Sequence, residues 1–286
     1  MTAIIIDGKK IASEIQKKIL DEVTTLHNTR QTIPQITTII IGNDPAAALY
    51  LRLRDSACKT VGIRSQHIEL PMTVSEKTVL DTIHDLNINQ DIHGILLQFP
   101  IPKNLFPERL MNAIDPKKDV EGFHPLNMGR TLIGDEHLVP CTPLAVLTIL
   151  EHEHFDVKGK DVVVVNHSTV VGKPLTMLLL NRNATVSICH VYTKHLKQYT
   201  SNADVLITAA GVPKLITKDH VKEGAFVIDV GIIQTKDGVC GDVDFQAVKE
   251  KAGKLTPVPG GVGPVTIACS LQNMIKTYHN CTSTKN

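Results

Sequence analysis

A chain of 286 residues with 42% hydrophobic and 21% charged positions can bury one large core or two of ordinary size, which excludes a disordered or fibrous protein. Aromatics make up only 3% and tryptophan is absent, which argues against an all-β sandwich and against a base-stacking nucleic-acid binder. A net charge of +1 creates no field that would draw DNA, RNA or an anionic membrane.

The opening stretch, Met1-Thr-Ala-Ile-Ile-Ile-Asp7, has neither the basic segment nor the apolar length of a secretion signal. No apolar run reaches the roughly 18 residues that a membrane span needs, so the expectation is a cytoplasmic chain. Residues 8–26 carry helical periodicity. Gln35–Ile41 is β-branched, short and unalternated, as a strand buried on both faces should be. Residues 45–62 return to the helical period and bear Tyr50-Leu-Arg-Leu-Arg54, which sets Tyr50 and Arg54 four apart on one face. The bland reading of that pair is a surface tyrosine beside solvated arginines. The strand 94–98 ends in Leu97-Gln-Phe-Pro-Ile-Pro102, where Gln98 either lines a crevice or is a satisfied buried amide. Lys118-Asp-Val-Glu-Gly-Phe-His-Pro125 offers the carboxylates Asp119 and Glu121, as a solvated turn or as a grip on a cationic or amide-edged ligand.

A seam falls at Pro140-Cys-Thr-Pro143, with Thr142 placed to cap a helix that Pro143 opens. Glu151-His-Glu-His154 alternates along a helix, so its histidines face different ways and suggest a solvated helix end, with no metal site. Strand 162–165 runs into Asn166, His167, Ser168 and Gly172, followed by Lys173, Pro174 and a helix at 175–181. A pyrophosphate meets helix N–H groups at such a turn, although only Gly172 of a G-x-G-x-x-G survives and an ordinary βα turn competes. Strands Val205–Thr208 and 226–230 follow. Pro257-Val-Pro-Gly-Gly-Val-Gly-Pro264 holds three prolines and three glycines in eight residues, a shaped loop suited to ligand contact. The six cysteines are scattered with no C-x-x-C pair, which reads as buried thiols rather than a zinc site or a disulfide framework. Alternating strands and helices imply an α/β fold of parallel sheets with helices on both sides.

In order and spacing these segments resemble one family, the bifunctional methylenetetrahydrofolate dehydrogenase/cyclohydrolases, known in bacteria as FolD. The resemblance runs from Ile6-Asp-Gly-Lys9 through Gly42-Asn-Asp-Pro-Ala46, Tyr50, Gly94-Ile-Leu-Leu-Gln-Phe-Pro100 and residues 118–125. It continues through Pro140-Cys-Thr-Pro143, Val170-Val-Gly-Lys-Pro174, Asp229-Val-Gly231 and Gly241-Asp-Val243 to residues 257–266. It implies two α/β domains with a cleft between them: a catalytic folate-binding domain over 1–142 and a Rossmann domain over 143–263. The last helix, about 264–286, would pack back on the first. It implies oxidation of 5,10-methylenetetrahydrofolate with NADP, NAD being possible, and hydrolysis of the methenyl product to 10-formyltetrahydrofolate, in a homodimer. By position, Tyr50 would cover the substrate's ring system, Gln98 would support the catalytic cation at 54, and Glu121 would hold the pterin edge. Pro259, Gly260, Gly261, Gly263 and Pro264 would wall the folate site, while Asn166, His167, Ser168, Gly172, Lys173 and Ile232 would hold the dinucleotide.

The chain departs from the family's pattern at several positions. Arg54 stands for the catalytic lysine, Glu121 for aspartate, Ala47 for serine, Asn166-His167-Ser168 for the usual G-R-S, and Val191 for the serine of H-S-x-T. Arginine cannot be deprotonated in a protein, so position 54 keeps a fixed charge and loses proton transfer. Hydride departure needs no base, whereas water addition must shed a proton, so the hydrolytic half is expected to weaken more. The alternative reading is a catalytically impaired folate- and nucleotide-binding regulator.

Overall fold

Short β-branched runs become strands that pair in parallel, and the periodic segments between them become the connecting helices. A computed structural model describes residues 2–30, 32–236 and 238–283. In chain order its elements are β1 (Ile4–Ile5), α1 (Gly8–Arg30), β2 (Gln35–Ile41), α2 (Pro45–Val61), β3 (Arg64–Leu70), α3 (Glu76–Ile88) and β4 (Gly94–Leu97). Next come α4 (Pro107–Ala113), α5 (Pro125–Leu132), α6 (Cys141–His152), β5 (Asp161–Val165), α7 (Gly172–Asn181), β6 (Thr185–Cys189), α8 (Leu196–Thr200) and β7 (Val205–Thr208). The chain closes with β8 (Phe226–Asp229), β9 (Ile233–Thr235), β10 (Gly238–Cys240), α9 (Phe245–Lys249), β11 (Lys254–Leu255) and α10 (Val262–Thr282).

The described residues fall into two units, one built from 2–12, 131–134 and 142–266, the other from 13–130, 135–141 and 267–283. The first unit holds a six-stranded sheet in the order β1-β11-β8-β7-β5-β6, every pair of it parallel. Its core joins Val163, Val165, Leu206, Val227 and Leu255, and α7 adds Leu175, Leu178 and Leu179, each fully buried. Such a side chain stabilises by about 1.5–3 kcal/mol when buried. The second unit holds the parallel sheet β3-β2-β4, where Ile39, Ile95 and Leu97 pack with Val79, Ile83 and Leu86 of α3. Among the described residues no helix is long and apolar enough to cross a membrane.

Three helices begin earlier than their prolines suggest. α6 starts at Cys141, so Thr142 and Pro143 lie inside its first turn and Thr142 is not its cap. α7 starts at Gly172 and takes in Lys173 and Pro174, which were expected in the preceding turn. α10 starts at Val262, so Gly263 and Pro264 belong to its first turn and the loop proper ends at Gly261. The reason is common to all three: first-turn N–H groups have no intrahelical acceptor, so proline costs little there. The last three residues of the expected final helix lie outside the described residues. Strands β3 and β6 escaped the sequence pattern because both are edge strands with polar, partly exposed positions, and two-sided burial was the signal sought.

Candidate active site

The second unit gathers Tyr50, Arg54, Gln98 and Glu121. α2 is fixed at both ends: Asp44 Oδ1 accepts from Ala47 N at 2.9 Å, and Gly62 closes the helix with φ 77°. Four-residue spacing then carries Arg54 and Cys58 inward, while Arg52 stays exposed. Arg54 is 0% exposed, so the solvated-arginine reading of this pair does not hold. Its Nη2 donates to Thr38 Oγ1 on β2 at 3.0 Å, and its guanidinium carbon lies 5.7 Å from the centre of the Tyr50 ring. Nε and Nη1 have no hydrogen-bond partner among the described residues. A buried charged donor without an acceptor costs several kcal/mol, so these two N–H groups are suited to the acceptors of a ligand.

Glu121 is the group across from that charge. Burial pushes its carboxyl up from the ordinary range; the Arg54 cation and the Cys141 thiol pull it back, and Asp119 pushes it further up. Tyr50 is likewise raised, first by burial and then by Glu121. Gln98 sits at the end of β4, donating through Nε2 to Phe99 O at 2.9 Å, while its buried Oε1 has no partner. It is therefore only half of the satisfied amide the bland reading required.

The polar loop before α5 is not a solvated turn. Lys118 Nζ donates to Leu86 O, Asn87 O and Asn89 O at 2.9, 2.8 and 2.7 Å and so closes the end of α3. Asp119 spends both oxygens on the loop itself: Oδ1 accepts from Gly122 N, and Oδ2 from His124 N and Asn127 Nδ2. Glu121 alone is left for chemistry. Sequence reasoning missed Thr38, Cys141, Cys269 and Asn273. Asn273 Nδ2 donates to Val120 O and Val139 O at 2.9 and 2.8 Å, holding the residue before Glu121 and the second residue before Cys141. A signal existed: Thr266, Ser270, Asn273 and Thr277 form a buried polar stripe at helical spacing along α10.

The first unit carries the turn from β5 into α7. Asn166 Oδ1 accepts from Ser168 N and Gly172 N at 2.7 and 3.0 Å, and its Nδ2 donates to Ala209 O at 2.7 Å. Ser168 Oγ accepts from Val171 N at 3.1 Å. A Cβ on Gly172 would lie 2.0 Å from Asn166 O, so only glycine permits this path. The side chain of Val171 caps nothing, but Asn166 Oδ1 already takes the Gly172 N–H and Ser168 O the Lys173 N–H, so what fits a dinucleotide here is the close backbone approach that Gly172 allows. His167 is exposed with its ring 4.7 Å from that of His190, Lys173 is in the first helical turn, and Ile232 is 67% exposed.

The two acids of Asp229-Val-Gly231 and Gly241-Asp-Val243 are structural. Asp229 accepts from Gly231 N, Asp242 N and Val243 N. Asp242 accepts from Thr208 Oγ1, Ala210 N and Val212 N. In the proline–glycine loop, Pro259 precedes Gly260, which has φ 102°, and Gly8 abuts Gly261 so closely that a Cβ would meet its carbonyl oxygen at 1.8 Å. Among the described residues no cluster of three or more His, Cys, Asp or Glu could hold a metal ion.

Residues 6–121 match the profile of the tetrahydrofolate dehydrogenase/cyclohydrolase catalytic domain, and 140–282 that of its NAD(P)-binding domain. The Bifunctional protein FolD of Methanosarcina barkeri is 52% identical over 271 residues, spanning 95% of this chain and 94% of that protein. The FolD of Aquifex aeolicus is 47% identical over 277 residues, 96% and 95% of the two chains. Among solved structures, the FolD methylenetetrahydrofolate dehydrogenase/cyclohydrolase of Campylobacter jejuni superposes with a TM-score of 0.95 at 39% identity, covering 97% of this chain and 99% of that one. The Trypanosoma brucei enzyme, solved with NADP cofactor and an inhibitor, gives 0.94 at 33% identity with both chains covered fully. The buried arginine with its half-buried tyrosine and glutamate, and the glycine-dependent turn, thus stand in a chain that belongs to the tetrahydrofolate dehydrogenase/cyclohydrolase family.

Proposed function

We propose that this chain oxidises 5,10-methylenetetrahydrofolate to the 5,10-methenyl form with NADP, NAD being the weaker cofactor, and hydrolyses the methenyl form to 10-formyltetrahydrofolate. The observation that carries the reading is Arg54, fully buried with two N–H groups unpaired beside Tyr50 and Glu121. Nicotinamide, when bound, supplies the hydride acceptor. The chain's own residues do the rest. Tyr50 lays its ring along the substrate's ring system, and Arg54 directs fixed donors at its acceptors. Gln98 holds its free Oε1 toward the reacting region. The push that expels the hydride comes from the nitrogen lone pair next to the methylene carbon, so Arg54 need not move a proton. In hydrolysis, water adds to the methenyl carbon and must lose a proton. Arg54 cannot take it, and the nearby titratable carboxyl is Glu121, which we assign to that task as well as to the pterin edge.

In the first unit, the ordered turn of Asn166 and Ser168 forms the wall along which the pyrophosphate lies, with Gly172 allowing close approach. We further infer a homodimer formed through the open edge of β3, and a cytoplasmic setting consistent with six cysteines that form no disulfide among the described residues. A steady-state assay of both reactions on folded protein, with each dinucleotide, tests the proposal. Folate-dependent reduction of NADP together with methenyl hydrolysis is the expected result. Failure of both, from protein that still binds folate, would leave a binding protein instead.

A further inference from the structure

β2 is the central strand of the second unit's sheet, paired with β3 on one side and β4 on the other. It is rich in isoleucine, yet it carries two adjacent buried threonines, Thr37 at 1% exposure and Thr38 at 0%. Neighbouring strand residues face opposite ways, and the two hydroxyls meet different surroundings. Thr37 stands opposite Ile95 in the register, on the side where Ile39, Ile95 and Leu97 pack with α3. Its Oγ1 has no hydrogen-bond partner among the described residues. Thr38 turns toward α2, where its Oγ1 accepts from Arg54 Nη2 at 3.0 Å. A valine would suit the strand equally well, so the strand itself has no need of the Thr38 hydroxyl.

Arg54 does need it. A guanidinium is a planar fork of five N–H donors, so what it offers a ligand depends on its rotation, whereas a lysine ammonium is a compact point charge. The Tyr50 ring, 5.7 Å from the guanidinium carbon, attracts the charge without selecting which N–H points where. The Glu121 carboxyl attracts it too, with no hydrogen bond between them among the described residues. Thr38 Oγ1 is therefore the only acceptor among the described residues that fixes the rotation of the fork. Its own direction is held by a β-branched side chain, stiff at χ1, on a strand paired along both sides.

We propose that Thr38 is the positioning residue for Arg54: by holding Nη2 it turns the unpaired Nε and Nη1 donors toward the folate substrate. The inference rests on the activity reading given above. Donors of fixed charge meet the substrate's acceptors before the reaction as well as during it, so losing their alignment raises KM for the folate more than it lowers kcat. KM for NADP stays as it is, because the turn assigned to the dinucleotide is built from Asn166, Ser168 and Gly172.

The test is steady-state oxidation of 5,10-methylenetetrahydrofolate by the full chain, with folding checked by circular dichroism. Thr38→Val and Thr38→Ala both remove the acceptor and should lose about fivefold or more in kcat/KM for the folate, mostly through KM. Thr38→Ser keeps the acceptor and should return to within about twofold of wild type. Thr37→Val, a change on the same strand at a hydroxyl without a partner, should turn over like wild type. In an Arg54→Lys background Thr38→Val should change kcat/KM by less than about twofold, since no fork remains to be turned. A smaller loss than fivefold in wild-type background, an equal loss in Thr37→Val, no recovery in Thr38→Ser, or an undiminished loss beside lysine overturns the proposal. So does failure of both Thr38→Val and Thr38→Ala to fold, which would make the hydroxyl structural. Calorimetric binding of the folate separates this inference from the activity reading. A wild type that binds folate without turnover defeats that reading alone, and the same fivefold criterion applied to affinity then decides the role of Thr38. A wild type that does not bind folate defeats both.

Discussion

Arg54 keeps its charge in a site where one neutral hydrogen bond, one aromatic face and the Glu121 carboxyl support it, while Nε and Nη1 find no hydrogen-bond acceptor among the described residues. Breaking even with the desolvation of a buried ion takes excellent geometry and full pairing, and Arg54 has neither without ligand. Replacing it by methionine should therefore stabilise the ligand-free protein while abolishing turnover. A gain of about 1–4 kcal/mol is typical when an underpaired buried ion gives way to a packed apolar chain. Differential scanning calorimetry checks it, and a lower Tm for Arg54→Met would mean the cation is structural. Arg54→Lys tests chemistry. It restores a titratable ammonium, so methenyl hydrolysis should rise about tenfold, equal to ~1.4 kcal/mol of barrier, while hydride transfer changes much less. Hydrolysis rates for both proteins across pH 6–9 decide it. A wild type already as fast in hydrolysis as in oxidation, and slowed by lysine, would show that Glu121 has taken over the proton completely. Asp229 offers a third residue-scale outcome. Burial pushes its carboxyl up from 3.8 to about 6 despite three N–H donors. The folded state then holds the proton more tightly than the unfolded one, so the stability it contributes is full below about pH 4 and is lost as pH rises through about 6. The loss amounts to about 3 kcal/mol, from 1.36 kcal/mol per unit. Glu153 and Asp204 shift downward and act in the opposite sense. Comparing urea unfolding of wild type and Asp229→Asn at pH 4 and pH 6.5 cancels those other groups. An unchanged difference between the two proteins would refute the shift.

At the scale of elements, the β5–α7 turn shows how local rules build a binding surface. Asn166 knits the turn internally, which makes Gly172 the pivot on which the loop depends. Gly172→Ala must push a methyl against the Asn166 carbonyl, and overpacking of this kind costs about 1–3 kcal/mol. It should lower Tm and weaken NADP binding by tenfold or more, with folate binding unchanged; calorimetry and a dinucleotide titration read both. Normal NADP affinity in this variant would mean the turn does not shape the site. The strands most visible in the sequence, Gln35–Ile41 and Val205–Thr208, were those buried on both faces, since continuous β-branched runs have no other use. Edge strands β3 and β6 carry polar residues that read as loop. Tyr50 and Arg54 were legible as a pair from their spacing, but the depth of Arg54 was not, because nothing local says which face of α2 is covered. Asp119 looked like a candidate beside Glu121, and with Lys118 it builds the loop instead. Their acceptors and donors at 86–89 and 122–127 come from backbone that no motif records.

At the scale of the whole molecule, the second unit's sheet leaves one edge unguarded. The outer side of β4 is covered, with Ile95 N donating to Lys118 O at 2.8 Å in a bridge between Ile95 and Asp119. β3 pairs with β2 over all seven of its residues, and among the described residues no strand lies on its other side. α2 packs against the same strand, where Asp55 accepts from Ser65 Oγ at 2.8 Å, and α2 exposes Leu49 and Leu53 at 46% and 51%. Single exposed leucines are ordinary, but an i, i+4 pair on a helix next to an open seven-residue edge is a self-complementary surface of the kind a twofold dimer covers. The protein should therefore sediment at twice the 31.3 kDa of one chain. Replacing both leucines by aspartate places four like charges across a twofold interface and should yield a folded monomer. Because Tyr50 and Arg54 lie on the same helix, turnover would fall along with assembly, so circular dichroism and sedimentation rather than activity are the readouts. A wild type that stays monomeric at tens of micromolar, or a double variant that remains dimeric, would move the interface away from β3 and α2.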